Sequence, residues 1–402
     1  MRNPSIALLP ELIAALPAEL RAVADDLLFI ERVYGRPVPP PPMRDWIEQR
    51  FGSLEQVAEQ TIVKVTNRWS LEAAYYNPLR ARRPLGDDDV NARKHRATDA
   101  DQELEALISA GAGPHDMFGD PFNQTTVDLF GRIQGRSCVS ASNVAKCDAW
   151  HGLVIFDEFH PLRFNQEQVR DYFDVALRWL GAAHAADAGA RYPLLLWNCL
   201  WRAGASITHG HLQTMLAHGM APGQIERWRR AAVEYRTRHD RNLMADLGQL
   251  HDALGLTFWQ RDGVHGYVTL TPIRDRELLL TTSNLPRVDD WSTLDHAVVQ
   301  AALEPLWDAT WAALRGLIDA EGVRSFNVVV YLPPCGATSE PWEELPVCVR
   351  IVDRGNPLTR MVNFGAMELF ASSVIAVDPF TVAATLRAAH SRQISFARIV
   401  LQ

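Results

Sequence analysis

The chain has 402 residues, 47% hydrophobic and 22% charged, with a formal net charge of −8. This length supports a large core, near the size at which a second core forms, and the composition counts against extended disorder and a membrane class. A net acidic chain also lacks the clustered Lys and Arg of a general nucleic-acid binder, so neither nucleic acid nor membrane is an expected partner.

Cys138, Cys147, Cys199, Cys335 and Cys348 contain no CxxC pair, which suits a reducing compartment and builds no zinc ribbon. Pro10, Glu11, Pro17 and Glu19 interrupt the apolar N-terminus, and no run of 18 apolar residues follows, so the expected location is cytoplasmic.

In chain order, Pro4 to Glu59 reads as short amphipathic helices broken by the extended stretch Pro37 to Pro42. Between Pro84 and Asp120, charged and Gly-rich residues read as a long mobile excursion, either a lid or a solvated loop. Gly152 to Phe156 follows as a strand, and Val169, Phe173, Leu177 and Leu180 recur at helical spacing. Pro193 to Leu200 and His209 to Leu216 read as a strand pair, with a helix from Gly223. A similar order then recurs. Strands at Gly266 to Leu270 and Glu277 to Thr282 precede a helix at His296 to Ile318, strands at Phe326 to Leu332 and Pro346 to Val352, and a helix from Pro379 to Ala389. The pattern predicts duplicated α+β units.

The densest reactive cluster is Ser206-Ile207-Thr208-His209-Gly210-His211-Leu212-Gln213. On a strand from His209, alternation puts His209, His211 and Gln213 on one face. Gly204 permits a close backbone approach, and Ser206 directs a hydroxyl toward the same patch. A neutral imidazole whose second nitrogen donates a hydrogen bond can attack phosphorus, and a neutral amide nearby can hold a non-bridging phosphate oxygen. With Gln rather than a third His, no general acid is supplied. A phosphate monoester, with a second pKa near ~6, leaves without one, so transfer between phosphates is favoured. By itself the His-x-His also fits a metal half-site or two structural histidines.

Asn198, Gly204, Ser206, His209, His211 and Gln213 resemble, in type and spacing, the Asn, Gly, Ser, His-x-His-x-Gln signature of galactose-1-phosphate uridylyltransferases of the histidine-triad superfamily. The wording is also similar to the superfamily's dinucleoside polyphosphate phosphorylases. A second patch, Asn67, Glu72, Arg80, Ala81, Arg83 and Pro84, resembles the family's N-terminal stretch, with Arg68 and Trp69 replacing its Pro-Leu. The resemblance implies that His211 is the nucleophile, Ser206 and Gln213 hold the phosphate, His209 or Asn198 orient the site, and Arg80 and Arg83 grip the diphosphate. It places Asn143 near the nucleotide, Glu368 on a sugar hydroxyl, and His160 with His209 at a structural zinc site.

Departures accompany these matches. Asp120-Pro121-Phe122-Asn123 stands where many bacterial members have Cys-x-x-Cys, so no cofactor is required and at most weak structural zinc is expected. Cys348-Val349-Arg350 replaces a second His-x-His, and Leu332 replaces another ligand, which puts the acceptor sugar in doubt.

The resulting expectation is an α+β, duplicated histidine-triad-like fold of two antiparallel half-barrel sheets packed together with helices. Residues 1–60 are a helical N-terminal extension, 61–255 the half with the His-x-His-x-Gln, and 256–402 the second half. The expected activity is ping-pong transfer of a nucleoside monophosphate, UMP foremost, between a nucleotide sugar and a sugar phosphate. A phosphorylase and a noncatalytic nucleotide-binding protein are the alternatives. A homodimer with a shared site is implied by the resemblance.

Overall fold

The computed structural model describes residues 3–82, 97–288, 290–359 and 364–400, and side chains within these except for 97–99 and 393–400. Its first strands are β1 (Leu28–Gly35), β2 (Gln60–Asn67), β3 (Ala73–Tyr76), β4 (Cys138–Ser142) and β5 (Trp150–Phe156). Then come β6 (Ala190–Cys199), β7 (His211–His218), β8 (Thr257–Arg261), β9 (Val264–Val268) and β10 (Leu278–Thr282). The last are β11 (Phe326–Tyr331), β12 (Val347–Asp353) and β13 (Ser373–Ile375).

They form a 4-stranded sheet, β1-β2-β3-β13, and a 9-stranded sheet, β4-β5-β7-β6-β11-β12-β10-β9-β8. The α+β class expected from the sequence is found. The large sheet contains the duplication. In the first half β4-β5-β7-β6 has the helix Gln166–Ala186 between β5 and β6, and in the second β9-β10-β12-β11 has His296–Asp319 between β10 and β11. The two half-sheets join edge to edge into one sheet, since β6 pairs with β11 from Leu194↔Tyr331 to Cys199↔Phe326. Joining satisfies two rows of backbone groups that would otherwise be open edges.

One face of this sheet is dry. Val154, Leu195, Trp197, Leu212, Val328, Val330, Val349 and Ile351 are buried there beneath the two long helices. Those helices meet through a Phe173–Trp307 stack at 4.3 Å and the bidentate Arg170–Asp308 pair at 2.6 Å. The other face differs between the halves. Over the second half lie the four-stranded sheet and the helices Gly223–His239 and Leu243–Ala253: Tyr76 donates to the Leu270 carbonyl at 3.0 Å, and His251 packs on Tyr267 at 4.2 Å. Over the first half and the adjoining β11, Gln213, Leu196, Asn198, Asn327 and Val329 remain half-buried and line a groove.

Three expectations change. The N-terminal region is not wholly helical: Leu28–Gly35 is a strand in register with β2, because its Phe, Ile, Val and Tyr side chains suit a pleated surface. The expected excursion contains the helix Ala97–Ala110, which buries Leu104 and Ile108 four residues apart on one face. His209 lies outside β7, which starts at His211. Arg83, Pro84 and Asn363 lie outside the described residues. Among the described residues no helix is long and apolar enough to cross a membrane.

Candidate functional site

The two histidines of the motif do different work because the strand begins between them. Gly210 donates to the Phe159 carbonyl at 3.0 Å and accepts from the Phe156 amide at 3.0 Å, pinning the chain against the end of β5. A Cβ on Gly210 would lie 2.6 Å from the Phe156 ring, so only glycine permits this approach. His209 is thereby turned away from the groove. Its Nδ1 lies 2.7 Å from Asp116 Oδ2 and its Nε2 2.7 Å from the Phe156 carbonyl oxygen. Both ring nitrogens are thus engaged within the protein.

His211, by contrast, uses one nitrogen. Nδ1 donates to the His209 carbonyl at 2.8 Å, which puts the lone pair on Nε2, and among the described residues Nε2 has no hydrogen-bond partner. Burial, aided by the neighbouring His209, holds the imidazole below its ordinary 6.5, against the opposing pull of the His209 carbonyl. Phe118 packs edge-on to the ring at 5.1 Å, and Phe118, Ala141, Leu153, Ile155 and the half-buried Ile207 make an apolar wall around it. The result is a neutral, fixed imidazole in a dry wall.

Gln213 shares the His211 face, as alternation requires, opposite Leu153 on β5 and Leu196 on β6. Its Oε1 lies 3.1 Å from His151 Nε2. His151 Nδ1 accepts from the Cys147 amide at 3.1 Å, so Nε2–H is the donor to Gln213. Burial, the largest cause, keeps His151 below its usual value and favours this neutral tautomer. With Oε1 engaged, the Gln213 NH2 is the end left for a ligand. Asn143 places its Nδ2 3.2 Å from the same His151 nitrogen.

One step along the ladder beyond the Leu196↔Gln213 pair, Asn198 and His211 come onto the same face. Asn198 Oδ1 accepts from Asn327 Nδ2 at 2.6 Å. Gly204 closes the turn Trp201–Ala203 with φ +96, a left-handed conformation that favours glycine, and Ser206 is exposed on the loop that follows. The structure thus brings His211, Gln213, Asn143 and Asn198 to one face and Ser206 to its adjoining loop.

The remaining expected residues lie elsewhere or are already engaged. Arg80 is exposed in the turn Pro78–Arg82 at the end of β3, in the other sheet, and among the described residues no hydrogen bond joins it to the groove. Glu368 accepts from Arg274 at 2.6 Å and from the Gly365 amide at 2.9 Å; burial opposes the charge, but these donors hold it below the usual carboxylate value.

His160 and His209 are each engaged with other partners. His160 Nε2 faces Glu105 at 3.1 Å while its Nδ1 accepts from the Leu162 amide, and both His209 nitrogens are engaged. Asn123 donates to Asp120 instead of completing a ligand set. Among the described residues no three His, Cys, Asp or Glu side chains converge as a metal-holding group. At the second lost site, Arg350 donates to Glu72 at 2.6 Å and to Glu277 at 2.7 Å, all three buried. Burial alone would lower the Arg350 value, but Glu277 and Glu72 hold it well above the ordinary one.

Sequence reasoning missed Asp116, His151 and Asn327. His151 was accessible to it, two residues before Leu153 on the same face of β5; Asp116 and Asn327 carry no motif.

Comparison with solved structures bears on the fold. An ADP-glucose phosphorylase from Arabidopsis thaliana with bound ADP-glucose superimposes with a TM-score of 0.58 at 14% identity, covering 80% of this chain and 97% of that one. A uridylyltransferase superimposes with a TM-score of 0.52 at 15% identity, covering 64% and 86%. A galt-like protein from Arabidopsis thaliana gives 0.51 at 15%, covering 65% and 88%. The fold is histidine-triad-like. At these identities the histidine-triad-like fold is what is shared. No protein-family profile matches the chain. No curated protein matches it either.

Proposed function

We propose that this protein transfers a nucleoside monophosphate between phosphates through a covalent nucleotidyl-His211 intermediate, in the uridylyl version between sugar phosphates. The observation that carries this reading is the His211 imidazole: Nδ1 is committed to the His209 carbonyl, and Nε2 keeps its lone pair beside the Gln213 amide. In the first half-reaction Nε2 attacks the α-phosphorus of a nucleotide sugar, an N–P bond forms, and the P–O bond to the sugar phosphate breaks with its electron pair leaving on oxygen. No proton has to be removed from Nε2. The Gln213 NH2 and the Ser206 hydroxyl would donate to the phosphoryl oxygens as charge develops. An acceptor phosphate then attacks the same phosphorus and frees His211.

A second reading is a phosphorylase, in which inorganic phosphate is the acceptor. It draws on the ADP-glucose phosphorylase, which aligns over 80% of this chain against 64% for the uridylyltransferase. In either reading a homodimer would supply Arg80, and Arg83, across a shared site; size-exclusion chromatography with light scattering tests it.

The experiment is intact mass after incubation with UDP-glucose, ADP-glucose, GDP-mannose or a dinucleoside polyphosphate, beside His211→Ala. An adduct of one nucleoside monophosphate that needs His211 is expected, and its discharge by sugar phosphate or by inorganic phosphate separates the two readings. Nucleotide binding with no adduct from any donor would overturn both and leave a noncatalytic binding protein.

A further inference from the structure

Asn327 is half-buried on β11, directly opposite Asn198 on β6, and the chemistry above gives it no part. Both ends of its amide are bonded within the protein. Nδ2 donates to Asn198 Oδ1 at 2.6 Å and to the Ala203 carbonyl at 2.9 Å, and Oδ1 accepts from Arg354 Nη1 at 2.6 Å. An amide held in this way has neither N–H left for a ligand, so it acts through the groups it touches.

The polarity of these bonds is fixed from one end. A guanidinium carries donors and no acceptor, so the Asn327 atom that faces Arg354 is the oxygen. Its nitrogen therefore faces Asn198 and Ala203, where an oxygen accepts in each case. Asn198 is fixed in turn: Oδ1 is tied toward β11, and the NH2 is the end that remains. Among the described residues Asn198 Nδ2 has no hydrogen-bond partner, and it is not a buried atom, so a ligand can reach it. The same logic holds Gln213, where the Cys147 amide, also a donor only, sets His151, and His151 sets Gln213 Oε1. Two amides thus have their oxygens tied back, one on the strand of His211 and one on β6 beside it.

We propose that Asn327, oriented by Arg354, is the positioning residue that holds the Asn198 NH2 ready for a phosphoryl oxygen at His211. Phosphoryl oxygens only accept, so an NH2 binds them and an amide oxygen in its place repels them. Fixing the amide before the ligand arrives leaves no reorganisation for the moment when charge develops. The bond to Ala203 ties the same relay to the turn that precedes Gly204 and Ser206. Its place in the reaction rests on the nucleotidyl-His211 reading, while the hold on Asn198 is measurable through ligand binding alone.

The test is a double-mutant cycle on the whole protein, reading the rate of adduct formation by intact mass and the affinity for UDP-glucose and ADP-glucose by calorimetry. Asn198→Ala removes the amide and Asn327→Leu removes the relay at similar volume; each should slow adduct formation about tenfold or more. The double variant should be no slower than Asn198→Ala alone, because Asn327 acts through Asn198. Asn327→Asp keeps an acceptor for Arg354 but has no N–H for Asn198, and should be at least as slow as Asn327→Leu. Thermal unfolding checks each fold, and Asn327→Ser replaces Asn327→Leu if that variant is unstable. Additive losses in the double variant, or wild-type rates in Asn327→Asp, overturn the proposal, since a merely structural residue costs the same with or without the Asn198 amide. If wild type binds a nucleotide sugar and forms no adduct, the His211 reading falls and the cycle in affinity decides alone: non-additive losses keep the positioning role and additive ones remove it. A wild type that neither binds nor reacts overturns both.

Discussion

His211 and Cys348 occupy matching places in the two copies of one unit, since Ile155↔His211 on β5 and β7 corresponds to Thr281↔Cys348 on β10 and β12. Gln213 is matched in the same way by Arg350. In the first copy the face is half-open and its histidine is neutral with a lone pair presented. In the second, Glu72 enters from the turn between β2 and β3, the face closes, Arg350 is saturated by two carboxylates, and burial pushes the Cys348 thiol up to about 12. What is laid over each half of the duplicated scaffold thus decides which of the matched side chains keeps an unengaged group.

The sharpest test of this contrast is to remove each matched residue. His211→Ala should lower transfer by more than about 10⁴-fold while the protein stays folded, as loss of a covalent nucleophile does. Cys348→Ala should leave kcat/KM unchanged. Comparable losses from both would break the comparison.

Arg350→Met is expected to destabilise the fold by about 3–5 kcal/mol, because Glu72 and Glu277 are left buried without a cation. Denaturant unfolding reads this, and combining it with Glu72→Gln and Glu277→Gln should recover much of the loss. A cost below about 1 kcal/mol would show that the ion triad does not close the second half.

Gln213→Ala should reduce kcat by about 10²-fold or more with little change in unfolding, as removal of a donor to a developing charge does. His151→Phe should give a smaller reduction of the same kind, by freeing the Gln213 amide to rotate. Equal kcat in wild type and Gln213→Ala would remove the phosphate role.

Asp116→Asn should cost about 1–3 kcal/mol in stability, since His209 then faces a weaker acceptor. A modest fall in adduct formation should accompany it.

The smallest effect is on pH dependence. In the proposed transfer His211 would attack only when neutral, and burial lowers its value below 6.5, so the acid limb of kcat/KM should fall below pH 6.5. Phe118→Ala admits water and should move that limb upward. Below pH 6.5 the unfolded chain takes up this proton before the folded one, so His211 makes the fold lose stability as pH falls. An acid limb above pH 7 would contradict a desolvated His211.

Much of the large sheet was legible because its strands alternate and its helices repeat at regular spacing, as at Val169, Phe173, Leu177 and Leu180. The facing of His211 and Gln213 followed from the same period of two. His209 did not follow it, because Gly210 is bonded to Phe159 and Phe156 and the strand starts one residue later. Asp116 was hidden in a stretch whose Gly-rich composition reads as loop, although its partner is 93 residues away in sequence. The strand Leu28–Gly35 was read as helix, since only its pairing with β2 decides the matter.

By itself, then, the sequence determined the α+β units and the facing of His211 and Gln213 in the His-x-His-x-Gln motif, which are local in residue type and spacing. Tertiary structure decided which half stays open, which nitrogen of His211 is available, that Arg350 meets Glu72 278 residues away, and that Arg354 reaches Asn198 through Asn327. Those outcomes depend on contacts between segments distant in the chain, and no local pattern encodes where such segments meet.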